Sequence, residues 1–99
     1  MSLTFEWDEQ KRQTNIRKHG FDFRDVWQVF NAPMLVALDE RQEYGEERWI
    51  GVGALNGHVV VVIFTERGEN LIRIISMMKA VTQERINYEQ LLRDQLGND

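Results

Sequence analysis

Two runs rich in β-branched residues, Arg48 to Leu55 and Val59 to Thr65, flank the dipeptide Asn56-Gly57. Asparagine and glycine both tolerate the positive φ that a two-residue type I′ turn requires, so this stretch reads as an antiparallel hairpin. A lone hairpin is marginal in water, so it must find further strands or a covering helix. The neighbouring sequence supplies strands. Leu35 to Leu38 precedes the hairpin, and Leu71 to Met77 follows it after a second turn at Arg67-Gly68-Glu69-Asn70. The run Val59 to Phe64 is apolar without alternation, which predicts a central strand covered on at least part of both faces.

Helical signals bracket this meander. Leu3 to Trp7 suits a short strand, ended by Asp8, which can cap a helix running to about Lys18 and stopped by His19-Gly20. That helix is polar, with Ile16 nearly alone on its apolar side, which predicts a surface position. Phe23, Val26, Trp27 and Phe30 follow the spacing of one buried stripe, with Asp22 as cap and Asn31-Ala32-Pro33 as stop. Thr82 can cap a last helix whose stripe is Tyr88, Leu91, Leu92 and Leu96, with Gly97-Asn98-Asp99 fraying beyond it. The order β-α-α-β-β-β-β-α is an α+β fold: an antiparallel four- to five-stranded sheet flanked by two N-terminal helices and one C-terminal helix.

At 99 residues, with 42% hydrophobic and 28% charged side chains, the chain fits one globular domain over residues 1–99. It has no cysteine, which excludes a disulfide framework, thiolate metal sites and thiol catalysis. The N-terminal residues form no signal peptide, and the longest apolar run is far short of a membrane span, so a cytoplasmic location without a membrane partner is expected. The net charge of −4 disfavours nucleic-acid binding, but the charges are segregated. Lys11, Arg12, Arg17 and Lys18 share a stretch without a carboxylate, whereas Asp39, Glu40, Glu43, Glu46 and Glu47 crowd around Arg41.

No phosphate-binding glycine loop, metalloprotease helix or nucleophile elbow is present, and the two histidines are isolated. The polar residues that remain gather at strand ends: Glu66 and Arg67, Arg73 and Ser76, then Lys79, Glu84 and Arg85. Each has an ordinary structural alternative. Arg73 also reads as the partner of a carboxylate, Glu66-Arg67 as a solvated turn, Glu84-Arg85 as helix-supporting charges, and His19 as a cation at a helix C-terminus.

Several segments in order carry a resemblance: Phe5-Glu6-Trp7-Asp8, Asn15-Ile16-Arg17-Lys18-His19-Gly20, Phe23 and Phe30, Tyr44-Gly45-Glu46-Glu47-Arg48, Thr65-Glu66-Arg67-Gly68, Arg73-Ile74-Ile75-Ser76, Lys79-Ala80, Glu84-Arg85 and Tyr88. From about Phe5 to Tyr88 the chain resembles the BrnT family of type II toxins. The resemblance implies a RelE-like ribonuclease fold, an RNA substrate, arrest of translation and no cofactor. It also implies a BrnA-like antitoxin with a ribbon-helix-helix part, through which alone operator DNA would be bound. One position departs: Met78 stands where the family commonly has arginine.

Metal-free RNA cleavage needs a base for the 2′-hydroxyl, an acid for the leaving 5′-oxygen and cations for the phosphorane. The candidates are Glu66 or His19 as base, His19 or Lys79 as acid, and Arg67, Arg73 and Lys79 as phosphate holders. Lys11, Arg12, Arg17, Lys18 and Arg85 would bind the RNA. Two rival readings stand beside this one: a metal site built on Asp39, Glu43, Glu46 and Glu47, and a non-catalytic or attenuated protein-binding module of the same fold.

Overall fold

The computed structural model describes residues 2–97 and runs β1 (Thr4–Trp7), α1 (Glu9–His19), a 3-10 turn (Phe23–Asp25), α2 (Trp27–Phe30), β2 (Leu35–Leu38), β3 (Trp49–Leu55), β4 (His58–Glu66), β5 (Leu71–Lys79) and α3 (Thr82–Gly97). The element order is the expected one. Asn56 and Gly57 take φ of 51° and 81°, the positive values their dipeptide predicts, and the second turn uses Gly68 and Asn70 in the same way. The fraying expected of Asn98-Asp99 lies outside the described residues.

The five strands are ordered β1-β5-β4-β3-β2. β2 to β5 form the antiparallel meander, but β1 joins the sheet parallel to β5, so the sheet is mixed rather than wholly antiparallel. β1 covers only Leu71 to Ile74 of β5. Beyond that point α1 takes over the free edge, which explains why a chain entering the sheet here must run in the direction of β5. Register jumps from Ile63↔Ser76 to Phe64↔Ile74, making Ile75 the extra residue of a bulge.

Two apolar cores lie on opposite faces of the sheet. Phe23, Val26 and Val29 pack on Val60, Val62, Phe64, Ile72, Ile74 and Met77 on one side. Tyr88, Leu91 and Leu92 of α3 pack on Val52, Val61 and Ile63 on the other. The Tyr88 hydroxyl also donates to the Pro33 carbonyl at 3.0 Å, tying α3 to the start of β2, and burial raises its pKa.

Three side chains depart from their expected stripes. Trp27 is 52% exposed and Val29 is buried in its place, because the 3-10 turn advances about three residues per turn and aligns positions 23, 26 and 29. Ile16 faces solvent while Asn15 is buried, since α1 docks against strand backbone rather than against apolar side chains. Leu96 is exposed because the last turn of α3 runs clear of the sheet.

Candidate functional site

The site is built on α1, whose ends are defined by Asp8, accepting from the Lys11 backbone N–H at 3.1 Å, and by Gly20 in the left-handed conformation at φ 78°. Arg12 bonds to Glu9 at 2.6 Å and to Asp22 at 3.0 Å, clamping the helix to the turn that follows it. Hydrogen bonding from Arg12 holds the Glu9 carboxyl down at about 2. Burial pushes Asp22 upward, but bonds from Arg24 and Arg12 outweigh it and leave the carboxyl below its ordinary value. Arg12 therefore has a structural task, and its own guanidinium is held more firmly charged by the two carboxylates.

Asn15 fixes where this helix sits. Its amide nitrogen donates to the carbonyls of Met77 at 2.8 Å and Phe21 at 3.0 Å, and its oxygen accepts from the Met77 N–H at 3.0 Å. A side-chain amide thus replaces the strand neighbour that β5 lacks once β1 has ended. Positions 11, 15 and 18 share one helix face. Anchoring Asn15 on β5 therefore turns Lys11, Thr14 and Lys18 onto the same strand.

The result is an open groove of about 450 Å³ between α1 and β5. Lys11, Thr14, Lys18 and His19 form one wall and Ile75 and Ser76 the other, with Asp8 and Gln10 at the entrance. Among the described residues, Lys11, Lys18 and His19 make no ion pair. The Lys11 and Lys18 backbones are about 10 Å apart at 1.5 Å per residue.

The remaining candidates fall elsewhere. Arg73 is half-buried and bonds to Glu6 at 2.9 Å, its register partner on β1. It stands on the α3 face, as does Ser76, and so lies toward the Asp8 end of the groove. Lys79 lies past the Asn15–Met77 anchor, but it pairs with Val60 of the α2-side core, so it stands on the opposite face of the sheet from Ser76 and does not line the groove. Glu66 and Arg67 are at the other end of β4, about 20 Å from the Val60–Lys79 pair at 3.3 Å per residue. Arg67 is bonded there to Glu46 at 3.3 Å, and Glu66 borders an apolar groove. The structure therefore gathers His19, Lys11 and Lys18 with Ser76, and it does not bring Glu66 or Arg67 to them. Among the described residues, Arg17 bonds to Thr14, and Arg85 to Glu89 one turn along α3.

The acidic segment is occupied by its own cations. Asp39 is buried and accepts from Arg41 and from the Tyr44 hydroxyl, chiefly Arg41, which holds its carboxyl far below the usual range. Glu46 meets Arg48 and Arg67. Among the described residues, no three carboxylates or imidazoles converge to hold a metal ion.

Three participants carry too little sequence signal to be assigned a role. Asn15 is a polar residue within a polar helix, and nothing in its neighbours announces burial. Glu6 could have been matched to Arg73 only by foreseeing the parallel β1–β5 register, although its alternation with Phe5 and Trp7 puts it on the polar face. Thr14 enters the groove only through the helix phase that Asn15 sets. Met78 packs half-buried in the α3-side core, among Ile75, Ala80, Leu91 and Leu92.

Comparison with known proteins adds an independent line. A family model described as the ribonuclease toxin, BrnT, of type II toxin-antitoxin systems matches residues 7–84. The crystal structure of the Brucella abortus ribonuclease toxin, BrnT, is similar at 33% identity and a TM-score of 0.61, covering 82% of this chain and 100% of that one. No curated protein matches the chain in sequence.

Proposed function

The chain belongs to the BrnT family of ribonuclease toxins of type II toxin–antitoxin systems, and on that premise we propose that it is an endoribonuclease holding RNA in the groove between α1 and β5. The observation that carries the assignment is a row of nitrogen groups with no ion-pair partner among the described residues: the Lys11 and Lys18 ammonium groups and the His19 imidazole line one groove that opens onto Ser76. Of the arginines of that edge, Arg12 and Arg73 are paired with carboxylates, and Arg17 bonds to Thr14 and does not line the groove.

Lys11 and Lys18 contact successive phosphates, and Thr14 and Ser76 supply hydroxyls between them. Imidazole changes charge near neutral pH. His19 accordingly takes the 2′-hydroxyl proton, the 2′-oxygen attacks the adjacent phosphorus, and the bond to the 5′-oxygen breaks. Lys18, on the groove wall, stabilises the charge on the phosphorane and gives its proton to that leaving oxygen. The products are a 2′,3′-cyclic phosphate and a 5′-hydroxyl, and no metal ion enters the step. Arg73 holds RNA at the Asp8 end, and Arg17 and Arg85 are peripheral contacts. Glu66, Arg67 and Lys79 are left out of this mechanism.

In the cell, the single domain acts in the cytoplasm and arrests translation by cutting RNA. A BrnA-like ribbon-helix-helix antitoxin neutralises it, and operator DNA is bound only through that partner. The reading is tested by incubating purified protein with RNA in excess chelator. Wild type cleaves, Lys18→Gln/His19→Gln loses cleavage while staying folded, and Glu66→Gln retains it. Cleavage undiminished in the double variant, or abolished by the chelator, overturns the assignment. Met78 favours one alternative, an attenuated binding module, since it places a thioether where the family commonly has a guanidinium. On that alternative the basic helix and the sheet dock a protein partner and no RNA is cleaved.

A further inference from the structure

The β2 edge of the sheet is open, and its groups are arranged in a way that selects its occupant. The Asp39 N–H bonds to the Arg48 carbonyl at 2.7 Å, continuing the β2–β3 ladder by one pair. Antiparallel ladders alternate hydrogen-bonded with non-bonded pairs. Counting back from Asp39, Ala37↔Ile50 and Leu35↔Val52 are bonded pairs, whereas Leu38↔Trp49 and Val36↔Gly51 are not. The N–H and C=O of Val36 and Leu38 therefore point away from β3. The two residues are 51% and 38% exposed, with their side chains on the α2 face. Val36 borders the apolar groove floored by Trp49, Phe64 and Ile72 and walled by Phe30 and Met34.

Exposed edge strands commonly carry a lysine or another charge that discourages pairing, but Leu35-Val36-Ala37-Leu38 carries none. The segment that follows is acidic. Glu40 and Glu43, unlike Asp39 and Glu46, make no ion pair among the described residues. We propose that an extended segment of the partner protein adds to β2 as a sixth strand, presenting apolar side chains beside Val36 and Leu38 and Lys or Arg to Glu40 and Glu43. A second copy of this chain fits less well, because its own β2 has no cation to offer those carboxylates. The inference rests on the toxin–antitoxin reading for the partner's identity, and it places the partner on a different edge of the sheet from the RNA groove.

Val36→Pro tests it selectively. Proline removes only the outward N–H and places its ring against an added strand, leaving the bonded pairs of β2 with β3 in place. The probe is the purified product of the adjacent reading frame. The variant is expected to bind it about a hundredfold more weakly, and Glu40→Lys/Glu43→Lys about tenfold more weakly, with RNA cleavage unchanged in both. On the wild-type complex, hydrogen exchange should slow at the Val36 and Leu38 amides. That measurement stands even if Val36→Pro fails to fold. Wild-type-like binding by a folded Val36→Pro, or unprotected Val36 and Leu38 amides in the complex, overturns the proposal. Protection that rises with concentration in the isolated protein does so as well, because it assigns the edge to a second copy. Loss of RNA cleavage and growth arrest in the wild type would instead refute the toxin reading, while amide protection in the complex would still locate the partner.

Discussion

Replacing Asn15 by alanine removes the three hydrogen bonds that seat α1 on β5. It also leaves the Met77 N–H and C=O, in a fully buried residue, without those partners. At about 1 kcal/mol per net hydrogen bond, with more for each buried group left unsatisfied, the loss is about 3–4 kcal/mol. That is a large share of the roughly 5–15 kcal/mol available to a domain. Urea unfolding followed by tryptophan fluorescence measures it directly, and the melting temperature should fall by about 12 °C or more. Asn15→Asp separates geometry from bonding. A carboxylate keeps the bond from the Met77 N–H but faces the Met77 and Phe21 carbonyls with no proton to give. Folding then favours its protonated form, so its folded pKa is raised. Stability relative to wild type is therefore retained below the ordinary aspartate range near about 4 and lost as pH rises through the raised folded value. A variant within about 0.5 kcal/mol of wild type, the ordinary scatter of surface substitutions, would refute the seating role of Asn15.

Arg12→Ala should release Glu9, moving its carboxyl titration by NMR from about 2 back toward 4.5. The stability that this depressed carboxyl contributes is present above its unfolded value and lost as pH falls through about 2, and the variant should lack that acid-side dependence. Gly53→Ala places a Cβ 2.8 Å from Val29 Cγ1, beneath α2, and should cost about 1–3 kcal/mol in denaturant unfolding. Gly51→Ala meets first the mobile Met34 Cε, at 2.5 Å, and should cost less. Tyr88→Phe removes the bond to the Pro33 carbonyl and should lower stability by about 1 kcal/mol without changing RNA cleavage.

The turns, the element order and the burial of β4 on both faces were legible because each rests on local chemistry: Asn56-Gly57, the Asp8 and Asp22 caps, Gly20, and an unbroken apolar run. What escaped depends on long-range register. The parallel pairing of β1 with β5 determines that Arg73 meets Glu6, and no local pattern announces it. Likewise, a helix that docks on backbone buries an amide rather than an isoleucine, so Asn15 faces the sheet and Ile16, read as the apolar side of α1, faces solvent. The basic row on α1 was visible as composition, but only the fold separates Lys11 and Lys18, which are unpaired, from Arg12, which is held between Glu9 and Asp22. Glu66 and Arg67 at the Gly68 turn were legible as residues and misleading as neighbours, because a whole strand separates them from His19.

The most direct test of the central claim is to titrate isotope-labelled protein with a short RNA bearing 2′-methoxy groups, which cannot be cleaved by its own 2′-oxygen, and to map the backbone shifts. With RNA held between α1 and β5, the changes concentrate at Lys11, Thr14, Lys18, His19 and Ser76 and weaken steeply with salt. Shifts centred on Glu66 and Arg67, with the face of α1 undisturbed, would contradict it.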